Sequence, residues 1–132
     1  MGCLGTNSSN GVGLEAVTAD NCCGEGSGSS YALFVNNANN CYGINTGSGT
    51  GLFAVYIATG CVGATGTGGD GLAATIANNC YGSCTNGIAL QAVTAFNCYG
   101  YSSGGGTGLQ ATDGNFCFGS TVTIFVNKYN MP

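Results

Sequence analysis

Cysteine is the residue type whose spacing in this chain most clearly suggests chemistry, with nine copies in 132 residues. Seven of them recur every 18 to 20 residues, and these are Cys3, Cys22, Cys41, Cys61, Cys80, Cys98 and Cys117. So constant a step predicts that they stack in neighbouring coils, where parallel strands in register give poor Cβ geometry for disulfides. We therefore expect a row of buried free thiols that act as small hydrophobic side chains.

The two cysteines outside this row, Cys23 and Cys84, are the better candidates for a reactive or bridging thiol. Neither the Cys22-Cys23 pair nor the Cys80 to Cys84 spacing matches the usual spacing of zinc ligands, and the chain has no histidine. We therefore expect no metal and no cofactor.

The carboxylates are too few and too scattered for the acid chemistry of a polysaccharide-cleaving β-helix, which needs acids clustered on adjacent coils. The five acids occupy five different positions relative to the repeating cysteines, and they are Glu15, Asp20, Glu25, Asp70 and Asp113. Without histidine, a nucleophilic triad is also missing. The sequence predicts that the chain is not an enzyme. A polysaccharide-active enzyme and an ice-binding protein remain minor alternatives. Ice binding would need regular rows of threonine, whereas the threonines here fall in two phases.

Positive charge is almost absent, since Lys128 is the single cation and the chain has no arginine. Nucleic-acid binding through phosphate neutralisation needs clustered cations, so we expect no nucleic-acid partner. No apolar run approaches the roughly 20 residues that span a bilayer, and no signal peptide is visible. We expect no membrane span.

Glycine, leucine and asparagine repeat in step with the cysteines. Glycine stands two positions after each cysteine of the row. The leucines are Leu14, Leu33, Leu52, Leu72, Leu90 and Leu109. Each is followed two positions later by alanine or valine, which is the period-two pattern of a strand with one buried face. The sequence predicts an all-β, single-domain parallel β-helix (β-solenoid), right-handed, of about six coils of 18–20 residues. Residues 1–119 would form the coils, and 120–132 a C-terminal capping strand and tail.

Asparagine precedes the cysteine in four coils, at Asn21, Asn40, Asn79 and Asn97. Stacked amides at a solenoid bend can hydrogen-bond from coil to coil, so we interpret these residues as a structural ladder. The glycine two positions after the cysteine is expected to mark a corner that needs a positive φ or a close backbone approach. One-residue changes in period are expected in the Gly/Ser/Thr-rich connections.

The position after the cysteine is aromatic in four coils, at Tyr42, Tyr81, Tyr99 and Phe118. Facing outward, these rings would form a strip that stacks on sugar rings; facing inward, they would be core. Valine, leucine and cysteine at the same position in other coils favour core or half-buried packing. The pattern leaves open whether Cys or Tyr of each pair points inward, because the strand direction around the Asn bend is ambiguous by one residue.

The repeat G-L-x-A-x-x-A-x-N-C-Y-G, with the terminal Lys-Tyr-Asn-Met-Pro, resembles the repeat regions and C-termini of large parallel β-helix proteins of planctomycete and verrucomicrobia-type environmental bacteria. The resemblance implies a right-handed parallel β-helix in a large surface or secreted protein, with no catalytic residues to carry over. The chain departs from the pattern at Gly60 and Phe116, where asparagine is expected, and at Cys23 and Val62 in the aromatic position.

These features predict a non-enzymatic structural module, a rigid surface or adhesin-type spacer at an extracellular or cell-surface location. Its expected partner is a second copy, which would stack end to end on the open N-terminal coil, or a longer parent solenoid. The alternative is a carbohydrate-binding module that uses the aromatic strip on a glycan.

Overall fold

The computed structural model describes residues 2–130, which form a parallel β-solenoid of about six coils without a helix. This confirms the predicted fold class. Each complete coil contributes one short strand to a first sheet, sheet A, and one longer strand to a second, sheet B. Both sheets have seven strands, all parallel, and each strand pairs with the equivalent strand of the neighbouring coil.

Sheet A contains the odd-numbered strands, which follow the corner at each cysteine. They are β1 (Leu4–Asn7), β3 (Cys23–Gly26), β5 (Tyr42–Asn45), β7 (Val62–Thr65), β9 (Tyr81–Cys84), β11 (Tyr99–Ser102) and β13 (Phe118–Gly119). Sheet B contains the even-numbered strands. They are β2 (Leu14–Asp20), β4 (Leu33–Asn39), β6 (Leu52–Thr59), β8 (Leu72–Asn78), β10 (Ile88–Phe96), β12 (Thr107–Asn115) and β14 (Val122–Tyr129).

The core lies between the two sheets and is built from like residues stacked on like. Leu33, Leu52, Leu72, Leu90 and Leu109 are fully buried, and Leu14 in the first coil is partly buried against them. A row of small residues faces the same interior and lets the two walls approach closely: Ala19, Ala38, Ala58, Ala77 and Ala95. The coils are therefore held together by direct stacking of identical side chains about 4.8 Å apart. Six such steps give a rod about 29 Å long.

Changes in coil length are absorbed in two ways. The shortest interval, from Cys80 to Cys98, loses a residue in the connection before Leu90, as the sequence predicts. The longest interval, from Cys41 to Cys61, gains its residue inside β6, where the pairing with β4 and β8 shifts around Val55. The prediction that loops absorb every change is therefore wrong for this coil, which carries a β-bulge.

The C-terminal segment continues sheet B, since β14 pairs with β12 in parallel. Val122 takes the place of the repeating leucine, and Ile124 that of the alanine beside it; both pack against the core. A second register shift lies in β14, between the partners of Ala111 and Asp113. The end of the predicted tail, residues 131–132, and residue 1 lie outside the described residues.

Candidate functional site

The repeating cysteines point into the core, and the aromatic residues that follow them point outward. Six of the seven thiols are buried, namely Cys22, Cys41, Cys61, Cys80, Cys98 and Cys117. The expectation of a fully buried row is wrong for Cys3, which is exposed in the first coil. All nine cysteines are free thiols, so the described structure contains no disulfide.

Each buried thiol of the row has a structural hydrogen-bonding role at its corner. The Sγ of Cys41 donates to the carbonyl of Asn39 at 3.2 Å, and Cys61, Cys80, Cys98 and Cys117 bond the carbonyl two residues before them in the same way. These carbonyls lie where the chain turns out of sheet B. The same carbonyls also accept backbone N–H groups from the preceding coil, so each thiol adds a second hydrogen bond to an acceptor at the turn.

The thiols also interact along the row, which shifts their acidity. A hydrogen bond with Cys80, together with burial, raises the pKa of Cys61. At Cys80 a hydrogen bond with Cys61 lowers the pKa, but hydrogen bonding to Cys98 and burial outweigh it and raise the pKa to about 11. Hydrogen bonding to Cys117 likewise raises the pKa of Cys98 to about 11. At the end of the row, the hydrogen bond with Cys98 lowers the pKa of Cys117 to about 6.

The two cysteines outside the row differ in accessibility. Cys84 is buried on the inner face of sheet A, so its prediction as a reactive or bridging thiol is wrong. Cys23 is half-buried, and burial raises its pKa, with a further increase from the nearby charge of Glu25. A raised pKa lowers the thiolate fraction and hence the reactivity.

The corner between the two sheets is formed by the residue before each cysteine. Asn21, Asn40, Asn79 and Asn97 all have φ between 50° and 53°, in the left-handed region that asparagine tolerates better than most residues. Gly60 and Phe116 occupy the same corner with φ of 61° and 52°. A direct amide bond joins Asn97 Nδ2 to Asn79 Oδ1 at 2.7 Å. The asparagines therefore act as corner residues. Of the four predicted ladder amides, Asn79 and Asn97 bond one another, whereas Asn21 and Asn40 in neighbouring coils do not, and Gly60 and Phe116 have no amide at this corner.

The glycine after each Cys-aromatic pair does not adopt the positive φ that was one of the two reasons predicted for it. Gly43, Gly63 and Gly100 have ordinary φ values, but a Cβ on any of them would collide with a backbone carbonyl at the beginning of the next sheet B strand or just before it. Close backbone approach, the other half of the prediction, is the reason for glycine here. The two sheets meet at this line with no room for a side chain.

The four aromatic residues of the strip lie on the outer face of sheet A, each about 40% exposed. The prediction of core or half-buried packing is therefore wrong in its first part, since the rings face outward and are only partly covered. Tyr81 and Tyr99 are stacked on one another, with ring centroids 5.6 Å apart and planes 5° from parallel. One face of each ring is thus covered by its neighbour. This geometry suits cross-strand stabilisation better than a flat platform on which a sugar would lie.

The carboxylates do not meet on any face of the described solenoid. No two of the five occupy paired positions in neighbouring strands of residues 2–130, and no group of three or more His, Cys, Asp or Glu residues there could hold a metal ion. Asp20 accepts a hydrogen bond from Asn39 at 2.9 Å, and Asp113 accepts one from Asn127. Burial raises the pKa of Asp70 in the connection before β8.

No helix that could cross a membrane occurs among residues 2–130.

A groove on the outer face of sheet B was not found by sequence reasoning. It has a volume of about 340 Å³ and lies across β8, β10 and β12, between the bulged strands β6 and β14. Phe53 and Val55 line it on the β6 side and Phe125 on the β14 side. Its floor and remaining edge consist of alanine, valine and uncharged polar residues: Ala54, Ala73, Ala74, Thr75, Gln91, Ala92, Val93, Gln110 and Thr112. The long interval between Cys41 and Cys61 was the sequence signal for the first bulge.

The β6 bulge is fixed by a side chain of the groove. Thr75 Oγ1 donates to the carbonyl of Val55 at 2.7 Å, so the acceptor that the bulge removes from the sheet ladder keeps a partner. Phe53 is held on its other side by Phe34, with ring centroids 5.6 Å apart and planes 8° from parallel. The wall of the groove is therefore preorganised by packing and hydrogen bonding.

Searches against protein-family models, curated proteins and solved structures find no match to this chain.

Proposed function

We propose that this chain is a rigid, non-catalytic structural module, a spacer or adhesin-type segment of an extracellular or cell-surface protein. The observation that carries the proposal is that side chains inside and outside the solenoid are used to join each coil to its neighbours. Fully buried leucines stack in the core, and buried thiols bond the corner carbonyls. Little of the repeating chemistry is left over for a substrate.

Buried polar groups support the same role. Asn45 Nδ2 donates to the carbonyl of Ser30 at 2.7 Å, Thr65 Oγ1 to that of Gly49 at 2.7 Å, and Ser102 Oγ to that of Thr85 at 3.0 Å. Each bond ties sheet A to a connection of the preceding coil. Among residues 2–130, no buried side-chain nitrogen or oxygen lacks a hydrogen-bond partner. Satisfied polar networks of this kind make a core rigid and specific.

Surface amides add bonds between coils on the outside. Asn39 bonds Asp20, Asn97 bonds Asn79, and Asn130 bonds Asn115, each spanning successive coils. Individually such exposed bonds contribute little, on the order of 0.5–1.5 kcal/mol. Repeated along the axis, they oppose sliding and twisting of one coil on the next, which is the property a spacer needs.

The proposed partner is a second copy of the chain or a longer solenoid that continues the stack. Coils add through parallel pairing, and the strands β1 and β2 lie at one end of their sheets, with β13 and β14 at the other. Backbone groups at a sheet end are the natural template for such an addition.

Stiffness tests the spacer role. With a fluorescent protein fused to each end of the full chain, single-molecule energy transfer should give one narrow distance distribution that does not change with salt. A Gly/Ser linker of equal length is the control, since a flexible coil of this length has a root-mean-square span of about 60 Å, against about 29 Å for the rod. A distribution as broad as that of the linker would reject a rigid spacer.

Light scattering over a concentration series, with and without reductant, tests the partner. Growth into long species that survive reductant supports end-to-end stacking through backbone pairing. Species that vanish on reduction would instead indicate cross-linking through Cys3 or Cys23, the accessible thiols.

Cleavage of any member of a panel of polysaccharides by the purified chain would contradict the non-catalytic assignment.

A further inference from the structure

The groove on the outer face of sheet B contains a pair of neighbouring glutamine side chains. Some asparagine amides on the outside of the solenoid bond from coil to coil, as in Asn39 with Asp20 and Asn97 with Asn79. Gln91 and Gln110 are register partners in β10 and β12, and within residues 2–130 their side-chain amides bond no other group of the chain. Each amide therefore offers both donors and an acceptor to a ligand.

The walls of the groove place aromatic surface beside these amides. Phe53 is in register with Ala73, which is in register with Gln91, so the short side chain of Ala73 leaves a hollow between the ring and the amide. Phe125 projects from the bulged strand β14 and is 63% exposed. Bulged strands commonly re-aim side chains beside binding sites. A few convergent polar groups set among apolar and aromatic walls are the usual composition of a ligand site.

The charge of the groove restricts the chemistry of the ligand. None of its lining residues carries an ionisable side chain, so it offers no counter-charge to a phosphate, sulfate or carboxylate group. An extended peptide would gain no main-chain pairing here, because the backbone groups of β8, β10 and β12 already bond their neighbours in the sheet. A neutral, polyhydroxylated ligand with apolar ring faces satisfies both the amides and the phenylalanines.

We propose that the groove between the bulged strands β6 and β14 binds an uncharged oligosaccharide that runs along the solenoid axis. Gln91 and Gln110 hydrogen-bond its hydroxyl groups, and Phe53 and Phe125 contact its ring faces. The four strand spacings from β6 to β14 give a length of about 19 Å, which suits a short run of sugar rings rather than a single one. This site is separate from the aromatic strip on sheet A, and it does not depend on the spacer role.

The experiment is calorimetric titration of the full chain with uncharged tetrasaccharides of glucose, mannose, xylose and N-acetylglucosamine, with tetragalacturonate as the charged comparison. We expect at least one neutral tetrasaccharide to bind, and tetragalacturonate not to bind. The Gln91→Ala/Gln110→Ala variant should weaken that binding at least tenfold, and Phe53→Leu should also weaken it. Tyr81→Ala, on the opposite sheet, should leave it unchanged. Thermal unfolding of each variant checks that the solenoid is intact.

Several outcomes would overturn the proposal. Absence of binding by every neutral tetrasaccharide would remove it. Binding that is lost in Tyr81→Ala but kept in the double glutamine variant would assign the ligand to the aromatic strip instead. Equal binding of tetragalacturonate would contradict the charge argument. Wild-type self-association that Phe125→Ser abolishes would identify this face as an interface between copies of the chain.

Discussion

The side-chain amide of Asn97 donates a 2.7 Å hydrogen bond to Oδ1 of Asn79, which occupies the same corner one coil earlier. Both residues hold φ values just above 50°, so each asparagine combines a backbone role with a bond between coils. The two roles can be separated by mutation, because glycine accepts the left-handed conformation but has no amide.

Replacing Asn79 with alanine should destabilise the solenoid by about 1–2 kcal/mol, because alanine is strained at this φ and the bond to Asn97 is lost. Asn79→Gly should cost less, since only the bond is removed. The free energy of unfolding in urea measures both variants. Equal losses for alanine and glycine would show that the corner conformation contributes nothing.

Substitution of Gly100 by alanine should prevent stable folding, because the new methyl group would overlap the carbonyl of Gly108 where the sheets meet. Gly68→Ala is the matched control: no atom lies within 4 Å of a methyl group there, and the φ of Gly68 is not positive. We expect circular dichroism to show a native-like Gly68→Ala and a largely unfolded Gly100→Ala. A folded Gly100→Ala variant with an unchanged unfolding midpoint would mean that the two sheets can separate at this line.

Thiol labelling under native conditions should modify Cys3 first and Cys23 more slowly, and should spare the other seven cysteines, which are buried. Complete labelling is expected in denaturant. Mass spectrometry of peptides after a short reaction with iodoacetamide at pH 8 identifies the modified sites. Rapid native labelling of Cys84 or Cys98 would indicate that the coils open locally.

Stability should fall as the pH rises from about 9 to about 11. Thiols of the unfolded chain ionise near 9.0, whereas Cys80 and Cys98 keep their protons until about 11. The folded state therefore binds more protons than the unfolded chain in this interval. The stability that these two thiols contribute is fully present below pH 9 and is lost by pH 11. Urea unfolding of wild type and Cys80→Ala at several pH values measures the effect. The variant should be less stable throughout but should show a shallower decline, and parallel curves would contradict the explanation.

The periodic part of the structure followed directly from the sequence. Leucine and cysteine recur at the positions of Leu72 and Cys80 in six and seven coils, because a buried stack favours one size and polarity at each level. The core could therefore be predicted from the step alone. The assignment of the corner was less certain, because asparagine and glycine both suit unusual backbone conformations. The left-handed residue proved to be Asn79, and Gly82 is required by close contact instead.

The outward direction of Tyr81 and the groove could not be predicted in the same way. Which of Cys80 and Tyr81 faces the core depends on one residue of register around the corner, and either choice preserves the repeat. Likewise, an interval lengthened by one residue is equally compatible with a longer loop and with the bulge near Val55. The groove depends on that bulge, so its presence required the paired strands to be seen.

Because each coil stacks on the same residues above and below, the solenoid can change length in whole coils. Residues 62–80 form one regular coil between two thiols of the row, and a duplicate inserted after Cys80 would place glycine on glycine, leucine on leucine and thiol on thiol. Tandem duplication of the corresponding DNA would lengthen the rod by about 4.8 Å without creating a new kind of contact. The bulged coils are the exception, since copying β6 would repeat its extra residue and move the groove wall.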